Sequence, residues 1–229
     1  LQQLYSRQLP DGGFSYWSGG STADEWASSM AGQFLKSASD KGFKIDSGVF
    51  NSWKNFQKRA SVNYRRSSSP ALDDLQQAYR LYTLALAGAS DEAAMNRLKL
   101  SENLSSQAAW RLAAAYAVAG KKNIAVDMTA GLERNVEPYR DGRSFGSSTR
   151  DKAMMLETLV LTDDIAGAMV SAKDVADAIR EEYYTTQTAA FASVALGRLA
   201  GKIGMEALNI SVDGKAVKEA AAVWTSELD

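Results

Sequence analysis

Residues 10–17 read Pro-Asp-Gly-Gly-Phe-Ser-Tyr-Trp, a turn that ends in an aromatic cluster. Proline stops the segment before it, and glycine reaches positive φ at no steric cost, so the composition is typical of a tight turn. Residues 18–22, Ser-Gly-Gly-Ser-Thr, then lead into a strongly helical segment. Residues 141–149, Asp-Gly-Arg-Ser-Phe-Gly-Ser-Ser-Thr, repeat this design. The repetition predicts that both turns are joints between the helices of a repeating ring.

Two kinds of helical segment alternate along the chain. One kind is alanine-rich or wholly apolar, and it occupies residues 23–38, 71–87, 107–119, 149–161 and 187–200. The other kind is amphipathic, and it occupies residues 47–64, 91–99, 121–133 and 171–183. A helix that is apolar on most sides is buried, whereas a helix with a charged face lies outside. The alternation therefore predicts an inner layer and an outer layer of helices.

The inner segments begin with similar polar residues. These starts are Ser21-Thr22, Ser105-Ser106, Ser148-Thr149 and Thr186-Gln187. The last three recur at intervals of about 35 to 45 residues, a period that indicates stacked helical hairpins. Such hairpins form either an open solenoid or a closed ring, and the turns at one end of the inner layer favour the ring. We predict a mainly α fold, an α/α toroid that is incomplete in this chain.

Local signals predict where individual helices begin and end. Apolar residues at helical spacing predict a first helix from Leu1 to Gln8. Ser21 or Thr22 is predicted to cap the second helix, and Ser148 or Thr149 is predicted to start the eighth. Ser171 is predicted to cap a helix that runs to Tyr183.

The pattern changes after the last apolar helix. From Leu208 to Asp213 apolar and polar residues alternate, which is typical of a strand. Asp213-Gly214 is a hairpin signal, and residues 215–224 form either the second strand or a helix, because alanine is abundant there. We predict two units: a toroid over residues 1–203 and a β segment of an adjoining domain over residues 204–229.

The composition excludes several classes of function. The chain has 229 residues, and its 26 basic and 27 acidic residues give a net charge of −1, which argues against a nucleic-acid partner. It lacks a run of roughly 18 apolar residues, so no membrane contact is expected. There is no cysteine and no histidine, which excludes Ser-His-Asp hydrolysis and most zinc sites within these residues. We predict no catalytic residue, no metal and no cofactor.

Carboxylates and aromatic residues are the remaining candidates for chemistry. Acidic pairs occur at Asp24-Glu25, Asp73-Asp74, Asp163-Asp164 and Glu181-Glu182. They are expected at helix starts or exposed faces, where acids favour the helix dipole or are solvated. Asp11, Asp24 and Asp141 form the best enzyme-like set, since glycoside hydrolases use paired carboxylates.

The aromatic residues have two interpretations. Phe14, Tyr16 and Trp17 are expected to close the end of a helical bundle rather than to form a ligand site. The tryptophans at positions 17, 26, 53 and 110 are expected in the core, with a sugar or prenyl pocket as the alternative.

The order of these features resembles the thioester domain of alpha-2-macroglobulins and complement components. The resemblance is carried by residues 5–8 (Tyr-Ser-Arg-Gln), 11–15 (Asp-Gly-Gly-Phe-Ser), 25–27 (Glu-Trp-Ala), 34–36 (Phe-Leu-Lys), 47–53 (Ser-Gly-Val-Phe-Asn-Ser-Trp) and 75–86. The alanine-rich inner helices are most similar to those of the bacterial alpha-2-macroglobulins. The resemblance covers roughly residues 1–203, and the β stretch that follows is similar to a strand of the adjoining CUB-type domain.

The resemblance implies a toroid of six hairpins that belongs to a broad-spectrum endopeptidase inhibitor. In this family, cleavage of a bait region exposes an internal thioester, which then acylates the attacking protease. The thioester joins the Cys and Gln of a Cys-x-Glu-Gln motif at the start of an inner helix. That motif is absent here and is expected upstream of Leu1. A set of five residues, Asp11, Phe14, Tyr16, Trp17 and Trp26, is then expected to shield the thioester from water or to form a structural turn.

The resemblance also implies partners and a location. Some complement members carry a catalytic histidine in a loop that corresponds to residues 63–69, and this chain has none. Lysine amines of target proteases are therefore the expected acyl acceptors, and other domains of the same polypeptide are expected partners. The full protein is expected in the periplasm, tethered to the inner membrane as a lipoprotein. A glycoside hydrolase or a terpenoid cyclase is the alternative, although the Asp-x-Asp-Asp motif of cyclases is absent.

Overall fold

The structure is a computed structural model. It describes residues 1–137, 139–141, 144, 146–181, 185–204, 211–212 and 215–216. The predicted hairpin residues Asp213 and Gly214 lie outside the described residues.

The described part of the chain forms ten helices and four short strands. The helices are α1 (Gln2–Tyr5), α2 (Glu25–Asp40), α3 (Ser47–Val62), α4 (Pro70–Leu86), α5 (Glu92–Lys99), α6 (Ser106–Val118), α7 (Lys122–Thr129), α8 (Ser148–Leu161), α9 (Ile165–Glu181) and α10 (Thr186–Ile203). The strands are β1 (Arg140–Asp141), β2 (Gly146–Ser147), β3 (Ser211–Val212) and β4 (Lys215–Ala216). The predicted mainly α fold is confirmed.

The helices form two layers, as the alternation of composition predicts. The inner helices α2, α4, α6, α8 and α10 pack in that order, each against the next of the series. The outer helices α3, α5, α7 and α9 each pack on the inner helix that precedes them in the chain. The main core lies among the inner helices, where most residues of α4, α6 and α8 are buried.

The first and last inner helices also meet, through side chains. The rings of Trp26 on α2 and Phe191 on α10 lie 6.2 Å apart between centroids. Gln187 Nε2 lies 3.5 Å from Met30 Sδ. The five inner helices therefore surround one shared core.

The inner helices begin at a common end of the molecule, which we call the inner-helix mouth. Ser147 Oγ, before α8, lies 3.0 Å from Thr188 Oγ1 in the first turn of α10. The Arg150 guanidinium in the first turn of α8 lies 4.4 Å from the centre of the Trp26 ring in the first turn of α2. The turn at residues 10–17 belongs to this end, because Asp24 N donates to Phe14 O at 2.9 Å.

Side-chain caps fix the starts of the helices and correct two predictions. Asp24, not Ser21 or Thr22, caps α2, and its carboxylate accepts the Ala27 amide. Ser147, one residue before the predicted pair, caps α8. In both cases the cap directly precedes the first helical residue, where a short side chain reaches the amide three positions on.

Two helix boundaries differ more strongly from the prediction. The helix predicted from Leu1 to Gln8 ends at Tyr5, because Gln8 pairs with Phe14 in an antiparallel bridge. The ninth helix begins at Ile165 and runs through Ser171, so Ser171 is not its cap. Asp164 Oδ1 accepts the Gly167 amide at 2.8 Å and satisfies the first turn instead. Tyr183, the predicted end of this helix, lies outside the described residues.

A short β segment follows the helices. Strands β3 and β4 pair antiparallel, with Ser211 opposite Ala216 and Val212 opposite Lys215. The rest of the two predicted strands lies outside the described residues, and the division of the chain at residues 203 and 204 stays a prediction. The turn at residues 141–149 also contains a strand pair, since β1 pairs antiparallel with β2.

Candidate functional site

The turn at residues 10–17 is fixed by hydrogen bonds and by close packing on α3. Gly13 N donates to Asp11 Oδ1 at 2.9 Å, and Leu9 N donates to Gly13 O at 2.8 Å. Gly12 has a φ of +92°, and a Cβ there would lie 2.2 Å from Ser52 O. Only glycine fits this conformation and this approach. The Asp-Gly-Gly sequence is therefore required by the shape of the turn.

The aromatic residues of the turn point into different surroundings. Phe14 is buried with Leu35 and Trp53, and its amide donates to Ser28 Oγ at 2.8 Å. Tyr16 is half-buried, and Trp17 is 69% exposed at the inner-helix mouth. Phe14 thus has the predicted core position, whereas Trp17 projects from the end of the bundle.

The backbone of Trp17 is nevertheless held in place. Its carbonyl accepts hydrogen bonds from Ser15 Oγ at 2.9 Å and from Gly20 N at 3.2 Å. The Tyr16 ring packs edge-on against the Trp17 ring at 5.0 Å between centroids. The turn therefore presents an aromatic pair on an ordered backbone.

Trp26, the last residue of the predicted shielding set, lies in the centre of the core. Its ring contacts Tyr79 at 4.6 Å between centroids, and Arg150 covers it. Trp53 and Trp110 are also buried, so the tryptophans at positions 26, 53 and 110 are core residues as expected, whereas the expectation of a core position for Trp17 was wrong.

The enzyme-like carboxylates have structural partners. Asp11 closes the turn, and Asp24 caps α2 with an O···N distance of 2.7 Å. For Asp141 the structure describes the backbone, in β1. Asp11 and Asp24 therefore give no support to general acid–base chemistry.

One acidic pair lies at a helix start, as expected, but its burial was not predicted. Asp73 and Asp74 are buried in the first turns of α4 rather than exposed. Arg66 donates to both oxygens of Asp74, at 2.9 and 2.8 Å, and Tyr64 also donates to it. Ser67 N donates to Asp73 Oδ2 at 2.6 Å. The pair thereby fixes the loop of residues 63–69 against the inner-helix mouth.

A buried ionic network across four inner helices was not predicted at all. Glu157 on α8 accepts hydrogen bonds from Arg111 on α6 at 2.7 Å, from Tyr82 on α4 at 2.7 Å and from Arg198 on α10 at 2.8 Å. Arg111 and Glu157 are both buried. Burial alone raises the pKa of Glu157, but the attraction of Arg111 and Arg198 outweighs it, so the pKa is lowered.

The Arg111 guanidinium is covered by aromatic rings. It lies 4.2 Å from the centre of the Tyr82 ring and 5.1 Å from that of Tyr79. Its Nε and Nη2 atoms have no hydrogen-bond acceptor among the described residues, so these ring faces take the place of acceptors. A signal for this network was present in the sequence, since Arg111 is the single charge of α6 and Glu157 stands in the apolar second half of α8.

A second buried network lies nearer the mouth. Arg150 donates to Asp151 Oδ1 through Nε at 3.1 Å and through Nη2 at 3.0 Å, and to Ser144 Oγ at 3.0 Å. Tyr139 donates to Asp151 Oδ2 at 2.5 Å. Burial raises the pKa of Asp151, although Arg150 and Tyr139 act in the opposite direction.

Two concave regions adjoin these networks. The first, which we call the mouth cavity, has a volume of about 480 Å³ and lies between the starts of α4, α6 and α8. Its lining residues are Ser69, Pro70, Ala71, Leu72, Leu75, Ser105, Gln107, Tyr139 and Asp151.

The second concave region, which we call the α2/α10 groove, has a volume of about 210 Å³. Its lining residues are Met30, Gln33, Phe34, Ser37, Tyr79, Ala190, Phe191 and Val194. None of these side chains carries a charge at neutral pH. Phe34 is 54% exposed at the edge of this groove.

The described residues contain neither a metal-binding cluster nor a membrane-spanning helix. Within the described ranges, no three acidic residues come together in a way that would hold a metal ion. No helix in that part of the chain has the length and apolar character needed to cross a bilayer.

Comparison with solved structures identifies the fold. Over 87% of the chain, the structure matches native alpha-2-macroglobulin from Escherichia coli, solved from domain MG7 to the C-terminus, with a TM-score of 0.72 and 18% identity. The chain has the fold of a segment of bacterial alpha-2-macroglobulin. The resemblance noted in the sequence is thus confirmed for the fold. No protein-family model and no curated protein matches the chain.

Two further alpha-2-macroglobulin structures match over similar lengths. The Escherichia coli protein activated by porcine elastase matches over 94% of the chain, with a TM-score of 0.73 and 17% identity. The Salmonella protein reacted with methylamine matches over 87%, with a TM-score of 0.68 and 20% identity. The chain spans 33%, 20% and 14% of these three alpha-2-macroglobulin chains, respectively.

Proposed function

We propose that this chain is part of the thioester domain of a bacterial alpha-2-macroglobulin, a protein that traps proteases covalently. The shared fold over 87% of the chain is the observation that carries the proposal. The chain itself takes no catalytic role in this proposal. It supplies the wall around a reactive group and the surface that meets the rest of the protein.

The thioester itself requires residues outside this chain. A thioester joins a cysteine sulfur to a glutamine acyl group, and the 229 residues contain no cysteine. In the proposed domain the missing part of the ring lies between α2 and α10. The uncharged lining of the α2/α10 groove and the exposed Phe34 at its edge support this placement, because such a surface is suited to an apolar helix.

The turn at residues 10–17 is proposed to shield the thioester. A thioester persists only where water is excluded. Tyr16 and Trp17 lie at the inner-helix mouth, the end at which family members carry the thioester motif. The ordered backbone of Trp17 supports a shielding role for its exposed ring. Asp11, Phe14 and Trp26 would then act indirectly, by fixing the turn and the core beneath it.

The acyl acceptors are proposed to be lysine amines of the attacking protease. The loop of residues 63–69 contains no histidine, and Asp73 and Asp74 hold it in one conformation. Without an imidazole to form an acyl intermediate, attack on the thioester falls to the incoming amine itself. We place the full protein in the periplasm, tethered to the inner membrane as a lipoprotein, in contact with its own further domains.

The test uses the full polypeptide that contains these residues. Incubation with active trypsin is expected to give a covalent complex that survives denaturing electrophoresis, whereas trypsin with a blocked active site gives none. Pretreatment with methylamine should abolish the complex, because the amine consumes the thioester. A full protein that stays unlinked to active trypsin would refute the trapping function.

The chemistry of the link and the location are tested separately. Mass spectrometry of the complex should find amide bonds to lysine, stable to hydroxylamine, and a majority of hydroxylamine-sensitive esters would contradict the proposed acceptor. Fractionation of cells should recover the full protein with the inner membrane on its periplasmic side. Recovery with the cytosol would contradict the proposed location.

A further inference from the structure

The mouth cavity has no part in the proposed function, and its lining is chemically distinctive. Pro70, Leu72 and Leu75 of α4 provide an apolar wall. Ser69, Ser105, Gln107, Tyr139 and Asp151 provide oxygen atoms that can accept hydrogen bonds. The described residues of the lining include one carboxylate and no lysine or arginine.

We propose that the mouth cavity binds an alkylammonium group, the chemistry of a lysine side chain. The methylene stem lies against Pro70, Leu72 and Leu75, and the ammonium group donates to Asp151 and to neighbouring oxygens. A lysine side chain suits this arrangement, because its carbon chain packs on apolar surface and its ammonium group donates hydrogen bonds to oxygen atoms. The proposal does not rest on the trapping function.

Asp151 is held in the position that such a site needs. Its Oδ1 atom accepts both bonds from Arg150, at 3.1 and 3.0 Å, and its Oδ2 atom accepts the bond from Tyr139. A carboxylate oxygen accepts two hydrogen bonds, so Oδ2 can accept one more beyond the bond from Tyr139. Asp151 is 1% exposed, so an ammonium group reaches this atom only through the cavity that it lines. Arg150 balances the charge of Asp151 from within the core, against the Trp26 ring, and is not among the residues that line the cavity.

The helix starts around the cavity act in the opposite direction. The amino-terminal ends of α4 and α6 carry partial positive charge, which favours an anionic ligand. Arg150 neutralises Asp151 overall, but the carboxylate lines the cavity and Arg150 does not, so a ligand in the cavity lies closer to the negative charge of the pair. The sign of the preferred ligand charge is therefore the decisive measurement.

Three probes with the same total number of carbon atoms measure this preference. The 229-residue chain is titrated with n-pentylammonium, 1-pentanol and n-pentanoate, and binding is followed by amide chemical shifts of residues 69–75 and 105–107. We expect the ammonium to bind most tightly, with a dissociation constant on the order of millimolar, as befits so small a ligand. Equal or tighter binding of pentanoate, or binding of none of the three, would overturn the proposal.

Variants at Gln107 test the location. Gln107→Lys places a positive charge at the cavity and should weaken n-pentylammonium binding roughly three- to tenfold, while Gln107→Glu should strengthen it by a similar factor. Asn123→Lys on α7 is the matched control, because Asn123 is exposed and outside the lining, and it should leave binding unchanged. Equal effects of the two lysine variants would show a non-specific charge effect and refute the site.

A last variant tests the carboxylate directly. Asp151→Asn should abolish the preference for n-pentylammonium over 1-pentanol. Circular dichroism establishes whether this variant folds, and the Gln107 series decides the question if it does not. Retention of the full preference in folded Asp151→Asn would refute the role of Asp151.

Discussion

Buried charged residues on the inner helices fix how these helices are arranged around the core. Arg111 and Glu157 meet at 2.7 Å in a fully buried site, and Tyr82 and Arg198 complete the set. These four residues lie on four different inner helices, so each of them fixes the position of one helix relative to the others. Removing one partner leaves an uncompensated charge in the core.

Replacement of Glu157 tests how much this network contributes to the free energy of unfolding. Glu157→Gln should lower the free energy of unfolding by about 3–5 kcal/mol, because Arg111 stays buried without its counter-charge. Chemical denaturation measures the change. Glu92→Gln, which removes an exposed partner 3.5 Å from Lys121, is the matched control and should cost at most about 1 kcal/mol. Similar losses in the two variants would show that burial does not set the cost.

The same residue predicts a pH dependence of stability. The pKa of Glu157 in the folded protein is lowered from its usual value of 4.5. A carboxyl with a lowered folded pKa stabilises the fold fully above its unfolded value and loses this contribution as the pH falls through its folded pKa. The difference in unfolding free energy between wild type and Glu157→Gln should therefore be constant above pH 4.5 and shrink below it. A difference that grows on acidification would contradict the lowered pKa.

Replacement of Trp17 distinguishes a role in stability from the proposed shielding of the thioester. The side chain is 69% exposed, so Trp17→Ala should change the unfolding free energy of this chain by no more than roughly 0.5 kcal/mol. In the full protein the same variant should shorten the thioester lifetime severalfold, measured as the appearance of free thiol. Phe43→Ala is the control, since Phe43 is 63% exposed beyond the opposite end of α2. Equal lifetimes in the two variants would remove the shielding role.

At the scale of the elements, composition predicted the helices better than their ends. The alternation of apolar and amphipathic segments identified the inner and outer helices, because burial of a helix face requires apolar side chains at many positions. A helix cap depends on one side chain, and several residues near a helix start can provide it, so the sequence does not identify which residue is the cap. At α9 the start itself was misplaced: the helix begins at Ile165, well before Ser171, and Asp164 satisfies its first turn.

The candidate site was less predictable than the helices. The turn at residues 10–17 was visible because glycine and proline mark local geometry. The partners of Arg111 on α6 and the contact of Arg150 with Gln187 on α10 were not, because these residues lie on different helices and are brought close only by packing. An isolated arginine in an alanine-rich helix indicates a buried pair, but it does not say which acid completes it.

The correction at α2 predicts the effect of removing a cap. Asp24→Ala should cost about 1 kcal/mol of stability, because the Ala27 amide loses its acceptor. Thr22→Ala, at one of the two positions that the sequence favoured, should cost nothing measurable, since Thr22 is exposed and outside the helix. Thermal unfolding of both variants measures the difference. A larger loss for Thr22→Ala would restore the sequence-based assignment.

At the scale of the whole molecule, the inner ring has one weak junction. Neighbouring inner helices from α2 through α10 pack closely in series, whereas α2 and α10 meet through side chains at the mouth. Away from the mouth, the α2/α10 groove separates them, with Phe34 and Val194 exposed at its edges. In the proposed full protein a further part of the ring covers this groove.

The isolated chain is expected to cover the groove with a second copy of itself. The groove lining is uncharged and apolar, and Phe34 at its edge offers a side chain of the same character to a partner molecule. Light scattering over a concentration series should show association. Phe34→Asp should raise the dissociation constant roughly tenfold or more, the equivalent of about 1.4 kcal/mol. Phe43→Asp introduces the same change at an exposed phenylalanine outside the groove and should leave association unchanged. A wild-type chain that stays monomeric throughout the series would show that the junction between α2 and α10 needs no cover.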